Sequence, residues 1–123
     1  MNIAIHFEIP VQEMARAILF YEAVFDLALE PVEIDGNEMA LFPLESGTAG
    51  CSGALAKGES YVPSLDGTRI YLQVTDIERT LGRALQLGGE CLYPVTRVSE
   101  QIRVAEFRDC EGNRIALQEM GRT

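Results

Sequence analysis

The chain has 123 residues, 47% of them hydrophobic and 24% charged, the proportions of one folded domain spanning residues 1–123. Nineteen acidic residues against ten basic ones give a formal net charge of -9, which excludes the basic face that nucleic acids and anionic membranes require. No apolar run approaches the roughly 18 residues of a membrane span. The N-terminus lacks the basic flank and apolar stretch of a signal peptide, so the expected location is cytoplasmic. Cys51, Cys91 and Cys110 are odd in number and form no CxxC pair; neither a disulfide framework nor a structural zinc site is expected.

Residues Ile5 to Val11 alternate. Ile5, Phe7, Ile9 and Val11 fall on one face, and His6, Glu8 and Pro10 on the other, the period of a half-buried strand. Pro10 cannot donate to a ladder and belongs near the strand's end. A helix follows, with Met14, Ile18, Tyr21 and Phe25 at helical spacing and Ala17 and Val24 beside them. Three short strands are predicted near Leu29–Ile34, Glu38–Pro43 and Ser52–Lys57, the first two joined by the turn residues Asp35-Gly36-Asn37. Residues 58–67, rich in glycine, serine and proline, read as a linker.

The same order then repeats. A strand around Arg69 to Val74 precedes a helix marked by Ile77, Leu81, Ala84 and Leu85, which Gly88-Gly89 stops. Strands are predicted near Glu90–Val95, Gln101–Arg108 and Arg114–Glu119, with Glu111-Gly112-Asn113 as a turn. At a constant offset, His6 aligns with Arg69, Val11 with Val74, Glu13 with Asp76, Arg16 with Arg79, and Pro31-Val32 with Pro94-Val95. Gly50 to Leu55 aligns with Gly112 to Leu117. Such a repeat is the strongest internal signal in the chain. It predicts an α+β fold of two βαβββ modules, approximately residues 1–60 and 65–123.

With those motifs in view, the chain resembles the vicinal-oxygen-chelate superfamily (glyoxalase/bleomycin-resistance/dioxygenase-like). His6-Phe7-Glu8-Ile9-Pro10-Val11 and Phe20-Tyr21-Glu22-Ala23-Val24-Phe25 resemble its first strand and helix. Phe107-Arg108-Asp109-Cys110-Glu111-Gly112-Asn113 resembles its closing turn. Asp26 departs from the glycine common after that helix. The resemblance implies that each module's sheet curls and that the two together form a U-shaped cleft. It also implies a homodimer, since relatives complete or cover the cleft by pairing modules.

In metal-using relatives the ligands project from the first and last strands of each module. The resemblance puts His6 at the first such position, but Arg69, Ala54 and Ala116 at the other three. Arginine stays protonated and alanine has no donor, whereas a divalent metal of this class takes three or more protein ligands. The expectation is therefore no cofactor; a displaced divalent metal site would have to use His6 and Glu8. The candidate ligand-binding residues are His6, Glu8, Arg69, Tyr71, Gln73 and Gln118. The Arg69 guanidinium either binds an anionic group or is taken by Glu8 or another acid. Glu38, Glu45, Glu106 and Glu119 are candidate general bases, but with no partner in the sequence they read as solvated surface acids, and Cys51 lies where it can approach the cleft.

Three functions compete at this level. The first is a metal-free cleft that binds a small organic molecule, an anionic one if the Arg69 charge is free. The second is a metal-dependent lyase or isomerase resembling glyoxalase. The third is a structural or regulatory partner domain.

Overall fold

Alternation and glycine placement act as the sequence indicates. In a computed structural model, which describes residues 1–121, ten elements follow one another. The first module holds strand β1 (His6–Pro10), helix α1 (Met14–Phe25) and strands β2 (Glu30–Ile34), β3 (Asn37–Leu41) and β4 (Ser52–Lys57). The second holds β5 (Tyr71–Val74), helix α2 (Ile77–Gln86), β6 (Glu90–Arg97), β7 (Ile102–Arg108) and β8 (Arg114–Met120). The fold is α+β with two βαβββ modules. The sheet orders are β1-β4-β3-β2 and β5-β8-β7-β6, so each module's first strand is an edge strand lying parallel to its last. Among the described residues no helix is long and apolar enough to cross a membrane.

The register carries the repeat down to single residues. Glu8 pairs with Ala54 across β1 and β4, and Tyr71 with Ala116 across β5 and β8; these are the partners that the sequence alignment equates. Asp35 and Gly36 both take left-handed backbone, which closes the β2–β3 hairpin between Ile34 and Asn37 as a two-residue turn of matching twist. Gly88, with φ 97°, reverses the chain after α2 and lets the Gly89 N–H bond the Ala84 carbonyl at 2.8 Å. Asp26, at φ 53°, does the same duty after α1; a short acidic side chain tolerates that conformation better than most.

One face of each sheet packs on its helix. Ile9, Val11 and Leu55 from the first module join Ile77, Phe107 and Leu117 from the second in one continuous cluster of buried residues. Met14, Tyr21, Ile77 and Leu81 are buried as the periodicity indicates, and Ile18 is partly so. Leu85 departs from expectation: it is 41% exposed, while Ala84 is fully buried. The buried stripe of α2 is Ile77, Thr80, Leu81 and Ala84, spaced at three and four residues, and Leu85 lies about 100° further round.

The closing turn of the second module fastens the two halves together. Asp109 is fully buried. Its Oδ1 accepts the N–H groups of Glu111 and Asn113 at 2.8 and 2.9 Å. Its Oδ2 accepts the Tyr21 hydroxyl at 2.5 Å and the Asn113 amide at 3.0 Å. Asn113 also donates to the Pro10 carbonyl at 2.8 Å and accepts from the Ser64 N–H at 3.2 Å. Glu111 reaches across to α1, whose N-cap Glu13 makes no side-chain cap of its own. The Glu111 carboxylate accepts the N–H groups of Gln12 and Glu13 and pairs with Arg16 at 2.6 Å. An acid at a helix N-terminus is favoured by the free N–H groups there.

Burial, and then the Asp109 carboxylate, hold the Tyr21 phenol well above its ordinary range. In the unfolded chain that proton leaves near pH 10. The linked stability is therefore full below about pH 10 and falls as the pH rises, because the unfolded state ionises first. Tyr21→Phe should lower stability by about 1–3 kcal/mol at neutral pH, and its deficit relative to wild type should shrink above about pH 10. Urea unfolding at the two pH values reads both effects; coincident midpoints at neutral pH would refute the role given to this bond.

Candidate functional site

The faces turned away from the helices are not alike in the two modules. In the first, Met39, Ala54 and Ala56 are buried, with Val32, Leu41 and Tyr61 packed on them. Tyr61 comes from the segment between the modules and lies over the sheet, donating its hydroxyl to Glu8 Oε1 at 2.8 Å. That bond raises the Tyr61 phenol above its usual range. In the second module the matching face keeps Tyr71 half exposed and Gln73 exposed.

A cavity of about 820 Å³ opens between the edge strands β1 and β5. His6, Glu8, Arg69, Tyr71 and Gln73 all line it. Five of the six candidate residues are thus brought together. Gln118 pairs with Gln73 on the neighbouring strand but does not line the cavity. Cys51, Val62, Ile70 and Arg114 contribute to the wall, and an adjoining recess of about 370 Å³ is walled by Phe7, Phe25, Leu27 and Phe42 among others.

His6 and Glu8 share a face, with Nε2 and Oε2 3.4 Å apart. Among the described residues no third histidine, cysteine or acid joins them in a cluster fit for a metal. Glu8 is also engaged by Tyr61, and Ala54 and Ala116 are fully buried. This donor set does not fit a divalent cation of the family's kind. The cluster of acids that does form, Asp76, Glu78 and Glu119, lies at the start of α2. Arg103 bonds Glu78 and Glu119, each at 2.6 Å, and the Ile77 N–H donates to Glu119 at 2.9 Å.

Arg69 does not pair with Glu8. Its Nη1 meets Glu106 Oε2 at 3.3 Å, and the other oxygen of that carboxylate takes Arg114 Nε at 2.5 Å. Glu106 is only 6% exposed, so its reading as a surface acid is corrected, as is that of Glu119. Glu38 and Glu45 are exposed, as expected. The alternation that puts Ala105 and Phe107 on the helix face puts Glu106 on the other, and Arg114 occupies the repeat position of Ser52, the partner of His6. Both signals were present in the sequence; the strand pairing that joins them was not.

Two repeated modules of this topology around a shared cleft define a glyoxalase-like fold. The chain belongs to the Glyoxalase/Bleomycin resistance protein/Dioxygenase superfamily, whose family model matches residues 3–117. No curated protein matches it. Among solved structures, a glyoxalase family protein from Bacillus cereus is 21% identical, with a TM-score of 0.75 over 99% of this chain and 96% of that one. TnmS3, an antibiotic binding protein from Streptomyces sp. CB03234, is 20% identical, with a TM-score of 0.68 over 98% of this chain and 99% of its own. A glyoxalase I mutant from Zea mays is 16% identical, with a TM-score of 0.67 over 94% of this chain and 46% of that one. At these identities the likeness is one of fold.

The three cysteines differ in reach. Cys51 and Cys91 are exposed, whereas burial, with Asp109 and Glu111 adding to it, pushes the Cys110 thiol up to about 11. Because the thiolate is the reactive form, iodoacetamide at about pH 7.5 should modify Cys51 and Cys91 well before Cys110. Peptide mass mapping over time checks the order, and early labelling of Cys110 would contradict the burial described.

Proposed function

We propose that this chain is a binding protein that holds a small organic molecule in the cleft between β1 and β5 without a metal. The observation that carries this reading is the cavity itself. Its volume of about 820 Å³ falls in the range of small-molecule sites, which are mostly apolar walls with a few polar anchors. His6, Glu8, Arg69, Tyr71 and Gln73 are the anchors on the wall, and Gln118 supports them from the next strand. The mismatch between His6–Glu8 and the needs of a divalent metal favours binding over metal-assisted lyase or isomerase chemistry. A relative of the same fold described as an antibiotic binding protein supports the same reading.

N-phenyl-1-naphthylamine, a neutral aromatic amine whose fluorescence rises in apolar surroundings, is a suitable probe. It should bind saturably at one site per chain and slow iodoacetamide modification of Cys51, which lines the cavity, while leaving Cys91 unaffected. Absence of saturable binding, or equal protection of both thiols, would count against the cleft. Elemental analysis of the purified protein should find no stoichiometric divalent metal. About one zinc, nickel, iron or manganese per chain, lost in His6→Ala, would restore the enzyme reading.

The protein is further proposed to act as a homodimer. Met1, Ile3, Ile5 and Val62 are strongly exposed apolar side chains, and small domains gain buried apolar area by pairing. Light scattering at tens of micromolar should give twice the 13.6 kDa of the chain; a mass of one chain would remove this part of the proposal.

A further inference from the structure

The wall of the second module carries an unequal charge group. Across the sheet, Tyr71, Ala116 and Glu106 form one row, and Ala116 adds nothing beyond its methyl group between the other two. The single carboxylate of Glu106 faces two guanidinium groups, those of Arg69 and Arg114. One negative charge against two positive ones leaves an excess of one positive charge, and both arginines line the cavity.

The two arginines hold that carboxylate differently. Arg114 opens β8 and bonds it at 2.5 Å, with its side chain 29% exposed. Arg69 enters from the segment before β5, makes one contact at 3.3 Å and is 44% exposed. Among the described residues its remaining N–H groups have no protein acceptor. The other acids on the wall do not take them. Glu8 is engaged by Tyr61 and His6, and Asp66 forms no ion pair with either arginine. If Arg69 turns away, Glu106 keeps its Arg114 contact at Oε1 and gives up at Oε2 only the longer contact of 3.3 Å. A guanidinium with free, parallel N–H groups is suited to an oxyanion.

We propose that Arg69, backed by Arg114 and spaced by Glu106, receives the oxyanion of an organic ligand (a carboxylate, sulfonate or phosphate ester) whose apolar body lies along the cleft by Val62 and Ile70. The assignment rests on the reading of the cleft as a binding site and names the class of molecule that it takes. Glu106 acts as a fixed counter-charge that keeps the two arginines side by side at the wall. It also tempers the site, because Arg69 must give up its contact with Glu106 to turn wholly toward the ligand.

Two fluorescent probes test this separately from the cleft itself. 8-Anilinonaphthalene-1-sulfonate and N-phenyl-1-naphthylamine share one aromatic body and differ by the sulfonate. Wild-type protein should bind the sulfonate probe more tightly than the neutral one. Arg69→Gln should weaken the sulfonate probe by roughly tenfold and leave the neutral probe nearly unchanged, while Arg69→Lys retains part of the difference. Glu106→Gln, by releasing Arg69, should tighten the sulfonate probe; Arg69 is surface-accessible enough that its variants decide the matter even where Glu106→Gln does not fold. Binding of the neutral probe with equal or weaker binding of the sulfonate overturns the oxyanion assignment and leaves the cleft standing. Equal losses for both probes in Arg69→Gln overturn it too, since Arg69 would then act by packing. Failure of both probes to bind removes the cleft reading and this assignment together.

Discussion

A carboxylate with no exposure to water must find its hydrogen bonds inside the protein or not ionise there. Asp109 meets that requirement by gathering four donors, and the most distant of them fixes the architecture. Two come from its own turn and one from the amide of Asn113. The fourth is the Tyr21 hydroxyl, carried on a helix of the other module. Once Asn113 is placed by Asp109, its amide is committed to Pro10, at the end of β1, and to Ser64 in the connecting segment. The cleft follows from this, because β1 and the segment that leads into β5 are anchored on the same few atoms.

The aromatic layer completes the fastening. Phe20 and Phe25 from α1 approach Phe107 with ring centroids 6.2 and 6.5 Å apart, and Tyr21 stacks on Phe25 at 5.8 Å. The polar contacts orient this layer and the layer excludes water from them, so neither is well described alone. The site differs in character. It is built where the pseudo-symmetry of the halves fails: Tyr61 fills one sheet's open face, and the corresponding place in the other is left to the arginines.

Much of this was written in one-dimensional pattern. Alternation placed His6 and Glu8 on one face, and the repeat placed Arg69 with them, because side-chain direction along a strand depends only on parity. Helix faces were legible for the same reason, up to the last turn, where Leu85 shows that a stripe read from few positions drifts. What could not be read was anything that depends on which strands become neighbours. Glu106 looks like a surface acid until β7 lies against β8 and Arg114 comes within reach. Tyr61 sits among turn residues and gives no sign that it will cover a sheet. The Glu111 turn was recognised by its sequence, but its action as a cap for a helix almost a hundred residues earlier belongs to the tertiary fold alone.

That distant cap bears on how the chain reaches its native state. Helix α1 is synthesised before the closing turn, yet the acceptor for the N–H groups at its start is Glu111, and its tyrosine finds its partner in Asp109. A nascent chain that has made only the first βαβββ unit therefore lacks both. Contacts so far apart in sequence are closed late and at an entropic cost that slows folding. The contacts that tie α1 to the closing turn can form only once both units have been made, and separating the two halves would remove them.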